Sequence, residues 1–158
     1  WIKPKTTDIS QDIVSVERKP PMTQRLIALS EENRICYRPF AVDEGRVFSS
    51  LRVKPNTWYF VVLTIDKSSL LHSIYINGIL DGQKTVTEST ELTDILTLGE
   101  TIGDYRATEG FDGGLDELAF WDRLLRPDEI RQLYHAAQTK VSLGKRFFKP
   151  DFIHQEDR

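Results

Sequence analysis

The stretch Ser73-Ile74-Tyr75-Ile76-Asn77-Gly78-Ile79-Leu80-Asp81-Gly82 constrains the fold more than any other part of this chain. Asn-Gly supplies the two positive φ angles of a type I′ turn, whose twist matches that of the strands it joins. The dipeptide predicts a tight antiparallel hairpin and assigns Asn77 and Gly78 to turn chemistry rather than to ligand contact. Short β-type runs set off by turn residues accompany it: Asp12 to Val16, Arg25 to Leu29, Arg34 to Tyr37, Arg46 to Leu51, Trp58 to Ile65, Asp94 to Leu98 and Leu115 to Phe120. Strands this short and this regularly spaced predict an all-β fold, a sandwich or a barrel. Trp1-Ile2-Lys3-Pro4 reads as the end of one more strand, so partner strands ahead of it are expected to be missing.

One helix is predicted, over Pro127 to Ala137, where Ile130, Leu133, Tyr134 and Ala137 recur at the spacing of a single buried face. Pro127 suits the first helical position, and Asp128 and Glu129 put negative charge where the helix dipole is positive. The reading divides the chain into a domain over residues 1–137 and a C-terminal extension or linker over 138–158. Within that extension, Lys145-Arg146-Phe147-Phe148-Lys149-Pro150 is read as an apolar anchor, in preference to a nucleic-acid stacking surface.

Composition narrows the function. With 158 residues, 39% hydrophobic and 28% charged, the chain has the balance of one globular core. A formal net charge of -3 provides no field to gather nucleic acid. No apolar run approaches the roughly 20 residues that cross a bilayer, so membrane insertion is not expected. Cys36, the only cysteine, has no disulfide partner and reads as a buried small hydrophobe. His72, His135 and His154 lack zinc-site spacing and read as surface or packing residues. Trp58 is placed in the core. The longest connection, Gly99 to Gly114, collects Glu100, Asp104, Glu109 and Asp112 together with Tyr105. Loops of this length in a compact domain tend to carry binding function.

The run Trp58-Tyr59-Phe60-Val61-Val62-Leu63-Thr64-Ile65-Asp66 and the hairpin resemble the centre of laminin-G-like and pentraxin-like domains of the concanavalin A-like jelly-roll superfamily. Leu96-Thr97-Leu98-Gly99, Phe111-Asp112-Gly113-Gly114-Leu115-Asp116-Glu117-Leu118-Ala119-Phe120-Trp121-Asp122 and Leu124-Leu125-Arg126-Pro127-Asp128-Glu129-Ile130 resemble that group's closing strands and terminal helix, in family order. The resemblance spans roughly Trp1 to Tyr134. It departs from the family in lacking the opening strands, in having no disulfide of the pentraxin kind, and in placing Arg126 where Ser or Thr usually caps the helix. It implies a two-sheet antiparallel β-sandwich with one short C-terminal helix. It also implies an extracellular or cell-surface setting and binding of a glycan or an extracellular protein, often with calcium.

Candidate sites follow from the same resemblance. The loop after Leu98-Gly99 corresponds to a calcium-bearing loop, with Glu100 and Asp104 as the oxygen donors available for a hard cation. Asp116 occupies a position where related jelly rolls hold a structural calcium; equally, its carboxylate can hydrogen-bond backbone amides of the neighbouring turn. Asp104, Tyr105 and Asp112 are the candidate ligand contacts. Hydrolases of the superfamily use a Glu-x-Asp-x-x-Glu strand, which this chain does not contain. Asp116 and Glu117, adjacent on the expected Leu115 to Phe120 strand, would face opposite sides and could not flank one glycosidic bond. A non-catalytic recognition module is therefore expected. The alternative is a structural or accessory domain within a longer multidomain chain.

Overall fold

The computed structural model describes residues 1–17, 23–38, 45–86, 95–99 and 109–138. Among them the chain order is β1 (Ile2–Pro4), β2 (Gln11–Glu17), β3 (Thr23–Leu29), β4 (Arg34–Arg38), β5 (Val47–Arg52), β6 (Val61–Asp66), β7 (Leu71–Ile76), β8 (Ile79–Thr85), β9 (Ile95–Leu98), β10 (Glu109–Gly110), β11 (Gly113–Leu115) and α1 (Pro127–Gln138). The extension at 138–158 lies outside the described residues beyond Gln138. No described helix is long and apolar enough to cross a membrane.

Strands β2 to β5 form a consecutive antiparallel sheet, with β9 and the short β10 both on the outer edge of β2. Strands β6, β7 and β8 form a second antiparallel sheet, and β1 pairs with β11. Between the layers lies one core, built from Ile13, Val16, Leu29, Ile35, Tyr37 and Val47 of the larger sheet and Ile74 and Ile76 of β7. The antiparallel two-sheet sandwich with a short C-terminal helix is thus present, as the strand pattern implied.

The hairpin forms as expected. Asn77 and Gly78 have φ of 53° and 80°. The Asn77 side-chain carbonyl accepts the Phe60 N–H at 3.0 Å, and the Asn77 N–H donates to the Phe60 carbonyl at 2.8 Å. Both contacts are structural, so the turn is tied to the strand beside it. The β7 strand is buried on both faces: Ile74 and Ile76 enter the core, while Tyr75 joins Val62, Leu125 and Ile130 beneath α1. The consecutive Ile74-Tyr75-Ile76 at its end reflects those two environments.

The two sheets meet along β5 and β8. The Leu51 N–H donates to the Asp81 carboxylate at 3.0 Å and the Ser50 hydroxyl to the Asp81 carbonyl at 2.9 Å. Gly82 lies against the Phe48 carbonyl so closely that any Cβ would collide with backbone. Close approach, rather than a special φ, is what requires glycine here.

Helix α1 begins where expected, and the absent Ser or Thr cap is partly replaced. Glu129 accepts the Arg126 N–H at 2.8 Å, which is the returning half of a capping box. The same carboxylate takes both guanidinium nitrogens of Arg123, at 3.0 and 2.9 Å. These bonds hold the Glu129 carboxyl down at about 2.

Two expectations need correction. The strand placed over Leu115 to Phe120 ends at Leu115. Those residues include Leu118, Ala119 and Phe120, but β1 is bonded alongside the segment only as far as Trp1 and Asp116. A strand without a hydrogen-bonded neighbour does not become part of a ladder. Asp116 and Glu117 therefore lie beyond the strand, with Glu117 at φ 50°, and the argument from their alternation does not apply. Trp58 is 43% exposed, not a core residue. Tyr59 takes the inward position by bridging Ile2, which turns its neighbour outward. The Trp58 ring packs on Gly114 instead, with the Lys3 ammonium 5.9 Å from its centroid.

Candidate functional site

The long connection is anchored at both ends on β2. Strand β9 pairs Leu98 with Val14, and the Gly99 N–H then donates to the Ile13 carbonyl at 2.9 Å. Gly99 sits at φ 71°, a left-handed conformation that turns the chain off the sheet. The return is made on the same edge, where β10 runs parallel to Gln11 and Asp12. The Phe111 N–H donates to the Gly99 carbonyl at 2.8 Å, so the connection leaves and comes back at one point. Closure of this kind defines an Ω-type loop base, a frequent carrier of function.

Gln11 fastens that base. It is wholly buried. Its Oε1 accepts the Asp112 N–H at 2.9 Å, and its Nε2 donates to the Thr6 carbonyl at 3.0 Å and to the Thr6 hydroxyl at 3.3 Å. Across from it, the Lys5 N–H donates to the Asp112 carbonyl at 2.8 Å, and Lys5 Nζ stands 3.6 Å from Asp112 Oδ1. That ion pair is exposed and contributes little to stability, but it positions the carboxylate at the loop's foot.

Of the candidate residues, Glu100, Asp104 and Tyr105 lie outside the described residues. Asp112 and Asp116 stand at opposite ends of β11, roughly 13 Å apart by strand rise, and do not share a site. The Asp116 carboxylate accepts the Glu117 N–H at 2.9 Å, the amide-bonding role weighed for it. Calcium takes six to eight oxygens. Among the described residues no three His, Cys, Asp or Glu side chains gather to offer an ion such a set. Gln11 and Lys5 were invisible to sequence reasoning, because their partner at Asp112 is about a hundred residues away and no local signal ties them.

Two further features are built into the sandwich. In the core, His72 is wholly buried, its ring edge-on to Tyr37 with centroids 4.8 Å apart. Among the described residues, neither His72 nitrogen nor the Tyr37 hydroxyl has a hydrogen-bond partner. Burial pushes the His72 imidazole below its usual value and the Tyr37 phenol above its own. Beside β6 runs a trench of about 870 Å³ between that strand and residues 115–125. Its walls are apolar along most of their length, unlike the hydroxyl-matching surface a sugar requires.

The profile of the laminin G family, within the concanavalin A-like lectin/glucanases superfamily, matches residues 1–131. Comparison with curated protein sequences finds no match. Among solved structures, a candidate carbohydrate-binding protein from Bacteroides ovatus is similar at TM-score 0.66 and 16% identity, over 83% of this chain and 38% of that one. The CBM40 of a Ruminococcus gnavus IT-sialidase, bound to α2,3-sialyllactose, is similar at TM-score 0.65 and 15% identity, over 84% of this chain and 78% of that one. The heptameric SAP-like pentraxin from Limulus polyphemus is similar at TM-score 0.61 and 15% identity, over 84% of this chain and 66% of that one. At these identities the likeness concerns the fold.

Proposed function

Since the chain belongs to the concanavalin A-like lectin/glucanases superfamily, we propose that it is a non-catalytic recognition module that binds a carbohydrate or a protein surface through the Gly99 to Gly114 loop. The observation that carries this reading is the closed loop base. Gly99, Phe111, Gln11 and Asp112 hold both ends of the loop on the edge of β2, so that Asp112 stands on a fixed frame at the loop's foot, and Asp104 and Tyr105 are the proposed contacts from the loop itself. The CBM40 structure carrying sialyllactose supports a glycan as the first ligand class to try. Calcium held by Glu100 and Asp104 is the finer form of the proposal, and an extracellular or cell-surface setting goes with it.

A glycan array containing sialylated and neutral oligosaccharides, read with calcium and with chelator, tests the reading. Binding that Tyr105→Ala and Asp104→Asn abolish without lowering the unfolding midpoint would support it. Chelator-sensitive binding, with a midpoint raised by calcium, would support the metal. Failure to bind any glycan or extracellular protein in either condition would overturn it. The open trench beside β6 favours a second reading, a structural or accessory domain completed by its neighbours in a longer chain. Sequencing the full-length gene would decide between an adjoining catalytic domain and a row of similar modules.

A further inference from the structure

The outward face of the small sheet formed by β1 and β11 carries an arrangement that the core does not require. Ile2 and Pro4 are buried, so the alternate residues Lys3 and Lys5 stand on the solvent side. Lys3 pairs with Gly114 on one side. On the other, the antiparallel bridge between Ile2 and Tyr59 brings Trp58 level with Lys3. Trp58, Lys3 and Gly114 thus form one row across three adjacent segments. Lys5 and Asp112 form the next row, joined from the Lys5 N–H to the Asp112 carbonyl at 2.8 Å. The rows are roughly 7 Å apart by strand rise, a span that one sugar ring and its substituents can bridge.

The Trp58 ring reaches across β1 and rests on Gly114, where a methyl group would stand 3.0 Å from its Cη2 and 3.4 Å from its Cζ2. Gly114 serves by the room it leaves and not by a positive φ. The Lys3 ammonium is within cation–π range of the same ring, 5.9 Å from its centroid. An indole supported by backbone below and a cation beside it, yet 43% exposed, is held in place without being hidden. In the second row, Lys5 Nζ and Asp112 Oδ1 are 3.6 Å apart, their side chains 71% and 45% exposed. An ammonium donates hydrogen bonds and a carboxylate accepts them, so this pair offers both partners that a sugar hydroxyl needs. The apolar trench beside β6 lacks such a mixture of aromatic surface and polar groups. The two rows also place two ammonium groups against one carboxylate, a local positive excess on a chain whose formal net charge is -3.

We propose that this face binds an acidic sugar, a pyranose carrying a carboxylate or a sulfate. The apolar side of the ring stacks on Trp58, the hydroxyls exchange hydrogen bonds with Asp112 and Lys5, and the Lys3 ammonium takes the negative group. The proposal rests on the reading of the chain as a carbohydrate-binding module. It carries the ligand from Asp112, at the foot of the Gly99 to Gly114 loop, along the outward side of β1.

Lactose, sulfated lactose and sialyllactose share a neutral core and provide the test, titrated into the whole chain and followed by NMR. The two acidic sugars should bind about tenfold more tightly than lactose at low salt, and added salt should shrink that margin. The Trp58 indole N–H signal should shift during the titration while that of Trp121 stays in place. Trp58→Ala should weaken binding about tenfold or more, and Trp58→Tyr should recover most of it. Lys3→Met should remove the margin over lactose without changing the unfolding midpoint. Equal affinity for lactose and both acidic sugars, or unaltered binding by Trp58→Ala, would overturn the proposal. So would equally tight binding of a glutamate-rich peptide, because charge alone would then account for the contact. Loss of binding in Tyr105→Ala but not in Trp58→Ala would leave the loop reading standing and rule out this face. Loss in Trp58→Ala with normal binding by Tyr105→Ala and Asp104→Asn would support this face and remove the loop.

Discussion

The two long edges of the three-stranded sheet are finished in different ways. The β8 edge is closed by β5: Asp81 bonds to Ser50 and Leu51, and Gly82 sits on the Phe48 backbone. The β6 edge faces a trench. An exposed sheet edge offers unpaired N–H and C=O groups to any strand that comes near, and proteins usually shorten, charge or cover such edges. Here β6 keeps six residues, and Val61, Leu63 and Ile65 are only partly buried. The difference teaches that, among the described residues, one flank of this sheet is sealed by direct backbone contact while the other borders open space.

The largest expected effect compares the same sheet at its closed centre and its open edge. Ile74→Ala, on β7 within the core, should cost about 4 kcal/mol, since the surroundings are fixed on every side. Leu63→Ala, on β6 beside the trench, should cost only about 1–2 kcal/mol. Urea unfolding of both variants checks this, and equal losses would mean that the β6 flank is as well packed as the centre.

Next in size is the seam. Gly82→Ala places a methyl group against the Phe48 carbonyl, which cannot move without displacing β5. A loss of about 1–3 kcal/mol is expected, a fall in the unfolding midpoint of roughly 5 °C. A neutral result would show that β5 and β8 part easily, and the contrast between the two edges would disappear.

Which parts were legible in the sequence follows this contrast. The hairpin, strands β2 to β5 and β9, and α1 were legible because local chemistry fixes them: Asn77-Gly78 for the turn, short β-type runs bounded by turn residues for the strands, Pro127 and the Ile130 to Ala137 face for the helix. Residues 116–120 have strand-like composition at Leu118 and Phe120 but make no ladder, because a strand is decided by its neighbours and Glu117, at φ 50°, takes the chain out of extended conformation. Trp58 misled for a related reason. Its residue type argues for burial, but the bridge from Tyr59 to Ile2 decides which of the two side chains turns in. At the candidate site, Asp112 was legible as one carboxylate in a long loop. The Gln11 and Lys5 groups that hold it were not, since contacts across a hundred residues leave no periodic trace. The turn-bonding role of Asp116 was one of two open readings, and the Glu117 N–H fills it.

The core beneath both edges should respond to pH. His72 is buried without a hydrogen-bond partner among the described residues, and burial depresses its folded-state affinity for protons. The unfolded chain therefore binds more protons as pH drops through the ordinary histidine range near 6.5, and stability falls with it. Above that range the contribution is fully present. Between pH 7.5 and 5.5 the unfolding midpoint should decline, and His72→Phe, which keeps the edge-on ring against Tyr37, should flatten the decline. The Asp66 and Glu129 carboxyls, both held below their usual values, should lose their contribution only at lower pH, as it falls below the unfolded carboxylate range.

The smallest expected effect lies at the start of α1, on the far wall of the trench, where Arg123 and Leu125 line the opening. Glu129 binds the Arg126 N–H and the Arg123 guanidinium with one carboxylate. Glu129→Gln can still accept the Arg126 N–H, as glutamine does in a capping box, and gives up mainly the charge on Arg123. Its pair is solvent-facing, so the unfolding midpoint should drop by about 2 °C or less. Glu129→Ala gives up the cap as well, in a helix whose own cap position holds Arg126, and should fall further. If the two variants fall equally, the charge on Arg123 rather than the cap holds this wall in place, and the wall is then expected to loosen as salt is added.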